Sequence, residues 1–333
     1  MCALRCSLVT CVLAGLLLAG CGRDAEEKPA QAGYVVAPQA TLRDRLANVY
    51  NKVATVQNGE RVEILETQKR MARVRTATGA VGWIEMRHLA GEEVFRAFTE
   101  LRFRHQRDPA ASRAHTRAEV NMHSTPGRDS PRLYQLKAGE EVEILQRATQ
   151  PRPVAQAVAA PQPGAPPRPP ILEDWWLVRD RRARVGWVLG RMVDIECPLD
   201  VAQYAEGRRI VACLVLNEVE DEGRKVPQYL MVLTEPRDGL PDDFEQIRVF
   251  TWNTARDRYE TAYRERSLEG VLPVRVGRED FDKEGNLPVF TLRLRQEDGS
   301  VVERKYKMGG VMVRRVPAPG EIVPAAPSGR SRR

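Results

Sequence analysis

One heptad-length phrase occurs twice in this chain. Gly59-Glu60-Arg61-Val62-Glu63-Ile64-Leu65 recurs as Gly139-Glu140-Glu141-Val142-Glu143-Ile144-Leu145. Downstream, Val74-Arg75 followed by Val81-Gly82-Trp83-Ile84 recurs as Val178-Arg179 followed by Val185-Gly186-Trp187-Val188, with the same spacing. A repeat found before anything else decides the architecture, because each copy must be one folding unit. In both copies apolar residues alternate with charged ones, the period-2 pattern of a strand with one buried face. A glycine precedes each such strand, as a tight turn requires. Gly82 and Gly186 each precede a tryptophan within a strand, where a missing Cβ suits a bulge or a close backbone approach. The chain is therefore expected to be all-β and built around a duplicated module.

The second copy reads Val120-Asn121-Met122, a turn at Pro126, the Gly139 strand, Trp175-Trp176-Leu177-Val178 and then Gly186-Trp187-Val188. This order resembles the bacterial SH3 (SH3b) family. The first copy keeps the glycine strand and the Gly-Trp pair, but has Met71 where the second has Trp175 and lacks the Asn-Met start and the proline turn. The resemblance implies two small SH3-like barrels, at 39–91 and 118–196, and a ligand that is peptidoglycan or a wall-associated peptide or protein. Trp83 and Trp187 are expected in the barrel cores, where indoles contribute large buried areas. Trp175 and Trp176 are the candidate ligand-binding aromatics. Neighbours in a strand point to opposite faces, so Trp176 is expected to be the exposed one.

The amino terminus reads MCALRCSLVTCVLAGLLLAGCGRD. Arg5, an apolar run from Leu8 to Leu18 and the small residues before Cys21 have the three-part organisation of a secretory signal. The run is too short to span a hydrocarbon core, which takes about 20 residues. Leu18-Ala19-Gly20-Cys21 resembles the lipobox of bacterial lipoproteins. That resemblance implies a signal peptide at 1–20, lipidation of Cys21 and a membrane anchor followed by a flexible tether at 21–38. Gly22 in place of aspartate favours the outer membrane facing the periplasm over the inner membrane.

Export changes how the six cysteines are read. Cys2, Cys6 and Cys11 leave with the signal, and Cys197 and Cys213 remain as an even pair in a compartment that permits disulfides. Either they form a bridge or Cys213, inside Ile210–Leu216, is a small buried hydrophobe. The net charge of +7 reflects a basic middle segment (Arg102, Arg104, Arg107, Arg113, Arg117) and a basic tail at 318–333. An exported chain without a recognition motif is not expected to bind nucleic acid.

Between the copies, 92–117 reads as a helical linker, with Val94, Phe95, Phe98 and Leu101 at amphipathic spacing. A Pro-rich insertion occupies 150–171 of the second copy. The remainder, 197–317, is expected to be a β-sandwich or open barrel with strands at Arg209–Leu216, Tyr229–Thr234, Ile247–Trp252, Tyr259–Arg264, Val289–Leu294 and Val301–Lys307.

Catalytic signatures are missing. A thiol peptidase of the NlpC/P60 type needs a cysteine with a histidine downstream. Cys213 has none after it, since the histidines stand at 88, 105, 115 and 123. No zinc-ligand spacing, G-x-S-x-G, Walker or dinucleotide motif occurs. The expectation is a membrane-anchored, non-catalytic envelope binding protein with no metal and no cofactor. The alternatives are an assembly lipoprotein whose last β domain makes the specific protein contact, and a cell-wall hydrolase of unrecognised type.

Overall fold

The structure, a computed structural model, describes residues 31–153 and 169–318. The signal peptide, Cys21, the start of the tether, most of the Pro-rich insertion and the basic tail beyond residue 318 lie outside the described residues.

The fold is mostly β, and every sheet is antiparallel. The first repeat contributes β1 (Gln31–Val35), β2 (Gln39–Arg43), β3 (Lys52–Gln57), β4 (Arg61–Gln68), β5 (Met71–Thr76), β6 (Val81–Glu85) and β7 (Leu89–Gly91). Their order in the sheet is β3-β2-β6-β5-β4-β1-β7. After helix α1 (Glu92–His105), the second repeat contributes β8 (Ser112–Thr116), β9 (Val120–His123), β10 (Arg132–Leu136), β11 (Glu141–Pro151), β12 (Leu172–Asp180), β13 (Val185–Leu189) and β14 (Val193–Ile195). Their order is β10-β9-β13-β12-β11-β8-β14, the same path strand for strand. Register agrees as well. Ile64 faces Val74 and Ile144 faces Val178, and a register shift follows at Leu65 in one copy and Leu145 in the other. The sequence repeat is thus a repeat of topology.

Three expectations need correction. Neither seven-stranded sheet is closed by pairing into a barrel. β3 and β10 each bond to one neighbour only, and β7 and β14 extend the opposite end instead of returning to them. Ladder pairing across the β2–β6 and β9–β13 seams narrows to single registered pairs, Arg43 with Trp83 and His123 with Trp187. Each copy also starts earlier than expected, at Gln31 rather than 39 and at Ser112 rather than 118, because β1 and β8 are short and lack a run of β-branched residues. The linker's helix runs over Glu92–His105, as its amphipathic spacing implies, and the end of the expected 92–117 linker is instead strand β8.

Gly82 and Gly186 owe their place to close approach. A Cβ on Gly82 would stand 2.9 Å from the Leu42 Cβ and 3.0 Å from the Arg43 carbonyl oxygen. One on Gly186 would stand 2.9 Å from the Met122 Cβ and 3.0 Å from the Phe98 ring.

The last domain begins with α2 (Leu199–Ala202) and consists of two four-stranded meanders. One is β15 (Arg209–Asp221), β16 (Arg224–Thr234), β17 (Gln246–Asn253) and β18 (Arg258–Glu265). The other is β19 (Gly270–Asp280), β20 (Asn286–Arg295), β21 (Val301–Gly309) and β22 (Met312–Val316). β15 packs on β19 and β20, and β18 on β22. β19 and β22 were not expected from the sequence.

The modules are not beads on a string. One apolar core runs from Tyr34 of the first module through Phe98 of α1 and Trp176 of the second to Val211 and Phe290 of the last domain. The first module keeps an inner core of its own around Leu42, Val56, Val62, Val74 and Ile84. Asn58 joins it to the second module, donating to the Leu133 carbonyl at 2.8 Å and accepting from the Gln135 N–H at 3.1 Å.

Candidate functional site

The tryptophans do not take the places expected of them. Trp175 is 2% exposed and Trp176 5%, so neither offers a surface ring. They do point to opposite faces of β12, but both faces are covered. On one, the Trp175 indole meets the His123 ring edge-on at 5.2 Å. The β9–β10 turn is held there by Arg128, whose Nε and Nη2 each donate to Glu173 at 2.7 Å. That guanidinium holds the Glu173 carboxyl below the usual carboxylate range. On the other face, Trp176 enters the central core. Trp187 is half-buried against Leu101, Leu145, Leu177 and Val185. Trp83 is also half-buried, on the side of β6 away from Gly82 and Ile84, directly opposite Arg43 and Arg73 of the flanking strands. It is not a core residue.

Burial also sets the state of His123. Desolvation holds its pKa below the ordinary histidine value, and its Nδ1 lies 2.9 Å from the Ser130 carbonyl, which fits a neutral ring donating from Nδ1. Cys197 and Cys213 are bridged, with Cα atoms 5.5 Å apart, tying the segment after β14 to β15. The Cys213 sulfur is therefore not a free thiolate. Among the described residues no group of three or more histidine, cysteine, aspartate or glutamate side chains is arranged to hold a metal ion.

Among the described residues, a cleft of about 670 Å³ with room for a ligand lies between the second module and the last domain. Its floor is a polar knot centred on Arg147 of β11. Nε donates to Asp243 at 2.8 Å, Nη1 to Asp174 at 3.2 Å, and Nη2 to the carbonyls of Leu240 and Asp242 at 2.8 and 3.0 Å. Asp243 in turn accepts the Leu272 N–H at 2.8 Å, which places the start of β19 at the cleft wall. Asp174 also accepts from Gly239 N–H and Arg209, so the second module and the last domain share one buried network.

Above this floor, Leu145, Leu272, Pro273 and Val301 supply apolar wall, and Arg275 and Arg293 supply cationic groups. Arg293 donates one bond, from Nη1 to the Leu272 carbonyl at 2.7 Å. Arg275 pairs with Glu303 at 3.0 Å across the exposed mouth. Exposed pairs of this kind contribute about 0–1 kcal/mol, so a ligand carboxylate competes for the guanidinium at little cost. An apolar lining with a few convergent polar groups is the ordinary form of a binding pocket. Arg147 is saturated and belongs to the framework; Arg275 and Arg293 line the space together with Asp108, Asp243 and Glu303. No local motif marks these arginines in the sequence, where they are three among 52 basic residues.

No protein-family model matches the chain, and no curated protein does. Among solved structures, NlpC2 from Trichomonas vaginalis aligns at 12% identity over 72% of this chain and 97% of its own, with a TM-score of 0.17. NlpC1 from the same organism aligns at 10% identity over 75% and 92%, with a TM-score of 0.18. Likenesses at this level carry no conclusion about fold or activity. No helix of the described residues is long and apolar enough to cross a membrane.

Proposed function

We propose that this chain is a non-catalytic binding protein of the bacterial cell envelope, lipid-anchored through Cys21 to a membrane facing the periplasm. In this reading the two repeated sheets are SH3b-like modules. The ligand is a carboxylate-bearing peptide of peptidoglycan or of a wall-associated protein, bound between the second module and the last domain. The observation that carries the proposal is the cleft: apolar residues from both units, a hydrogen-bonded floor at Arg147, and Arg275 and Arg293 in its lining. Two parallel bonds from an arginine to a carboxylate give orientation as well as attraction. Because both units line the cleft, neither the tandem modules nor the last domain binds alone.

The test is sedimentation of residues 21–333 carrying Cys21→Ser with purified wall sacculi. The wild-type surface is expected to sediment, and Arg275→Glu with Arg293→Ala to reduce binding by about ten-fold or more, the loss of one or two charge-assisted bonds. Unchanged binding by the folded double variant would remove the cleft from the proposal. Anchoring is checked separately by feeding cells an alkyne fatty acid: the full chain takes up label and Cys21→Ser does not. An unlabelled wild-type chain would rule out the lipid anchor.

A further inference from the structure

The turn between β2 and β3 carries the most exposed large apolar side chain of the first module, with further exposed apolar residues beside it in the turn and at the start of β3. Val49 is 85% exposed, and Leu46, Tyr50 and Val53 are exposed beside it. The turn is not slack. Asp44 accepts from the Asn51 backbone N–H at 2.8 Å and from Asn51 Nδ2 at 3.0 Å, and its own N–H donates to the Asn51 carbonyl at 3.1 Å. These bonds close the base of the 45–50 turn. Arg43, Arg45 and Lys52 flank these residues in the chain. The Arg43 guanidinium lies 4.4 Å from the centre of the Tyr50 ring and pairs with Glu85 at 3.3 Å, and Arg45 pairs with Asp44 at 2.8 Å, surface pairs that an anionic headgroup can compete for at little cost.

The second module supplies an internal comparison. Its equivalent turn, between β9 and β10, reads Ser124-Thr125-Pro126-Gly127-Arg128-Asp129-Ser130-Pro131, without a large apolar side chain, and is folded down by the Arg128–Glu173 pair. The two modules share one topology, so the fold does not require exposed apolar side chains at this turn.

We propose that the tip at residues 44–53 docks on the surface of a lipid bilayer bearing anionic headgroups. Exposed apolar side chains flanked by basic residues match the headgroup boundary, where the apolar groups enter the acyl edge and Lys or Arg contacts anionic lipid. Tyrosine suits the same depth. A protein partner is disfavoured, since a stable interface takes about 800 Å² from each side, more than a narrow turn with four apolar side chains presents. Position in the chain agrees. Nine residues lie between Cys21 and Gln31, ten Cα-to-Cα steps with a reach of at most about 35 Å at roughly 3.5 Å per step, so the turn stands on the copy nearest the lipid site. Only this last point rests on the anchoring proposed above; the chemistry of the tip does not.

The experiment uses residues 21–333 with Cys21→Ser, which retains the whole described fold and removes the acylation site. The chain is sedimented with vesicles of phosphatidylcholine alone and with about one-quarter phosphatidylglycerol, an anionic headgroup that basic residues attract. Binding to the anionic vesicles is expected, with a loss of about ten-fold or more in Leu46→Asp with Val49→Asp, whose side chains would insert. Arg45→Glu with Lys52→Glu is expected to abolish the preference for anionic lipid. As an independent readout, the emission of Val49→Trp should shift to the blue on vesicle binding and be quenched by brominated lipid. Failure of the unmutated tip to bind vesicles, equal binding by the aspartate variant, or unshifted emission would each overturn the proposal. So would loss of sacculus binding in the aspartate variant with vesicle binding kept, since the tip would then be a wall contact. Sacculus binding through Arg275 and Arg293 is expected to survive in the aspartate variant, so either proposal can fail while the other stands.

Discussion

Arg147 presents an instructive case of a buried charge. Asp243, Asp174, Thr149 and the carbonyls of Leu240 and Asp242 receive its N–H groups, and its side chain is 8% exposed. Desolvating a guanidinium and two carboxylates is expensive, and their mutual attraction repays it only when the remaining hydrogen bonds are made. Here they are made across a domain boundary, so the network specifies how the last domain sits on the second module. Arg147→Met should therefore cost about 3–5 kcal/mol, the usual penalty for leaving a buried partner charge uncompensated. Asp243→Asn added to that variant should restore part of the loss, because it removes the carboxylate left without a cation, whereas Asp174 keeps Arg209. Urea denaturation of the three proteins measures both effects, and a loss below about 1 kcal/mol, the worth of a surface pair, would mean the knot is not buried in solution.

At the scale of elements, local periodicity read the strands that have one buried face and a regular alternation. β4, β11, β6 and β13 follow from the two repeated phrases, and α1 from Val94, Phe95, Phe98 and Leu101, of which Phe98 and Leu101 are buried. The same rule failed where burial depends on two neighbours at once. β1 and β8 read as QAGYV and SRAHT, yet each is paired on both sides, by β4 and β7 or by β11 and β14. β19 contains Pro273, which argues against a strand interior but is tolerated where pairing with β20 is interrupted between Val271 and Arg275. For Trp175 and Trp176 the alternation was right and the inference from it was not. A strand in a layered molecule can have both faces covered, and what covers β12 is a turn 45 residues upstream (Arg128 on Glu173) and a domain downstream. The cleft was illegible for the same reason, as its residues meet only through long-range packing. The tip at 44–53 was different, because LANVY set against the STPGRDSP of the other copy was a contrast present in the sequence.

For the molecule as a whole, the question is whether a repeat plus a last domain means independent units. Domains joined by flexible linkers expose small, polar interfaces and move relative to one another by default. This chain lacks that boundary among its described residues. Ala111 and Ala114 of the second module share a core with Val211 and Ala212 of β15, and the Ser112 hydroxyl accepts the Cys213 N–H at 3.3 Å. The Cys197–Cys213 bridge closes a loop of 16 residues at this junction, a constraint on the unfolded chain of about 3 kcal/mol in the loop-entropy account. At the other junction, Tyr34 of β1 stacks on Phe95 of α1 with ring centres 4.1 Å apart, and Phe98 of the same helix meets Tyr134 of the second module. Separating either unit would expose apolar surface that the intact chain buries, at about 25 cal/mol per Å². Calorimetry of residues 21–333 with Cys21→Ser is thus expected to show one cooperative transition. A fragment ending at residue 196 should bind a hydrophobic dye through the face left open around Ala111, Ala114 and Trp176. Two resolved transitions, or a fragment that melts as it does within the chain, would show that the modules are autonomous. The cleft would then be a hinge rather than a fixed site, since its floor at Arg147 and its wall at Pro273 belong to different units and hold their spacing only while those units stay docked.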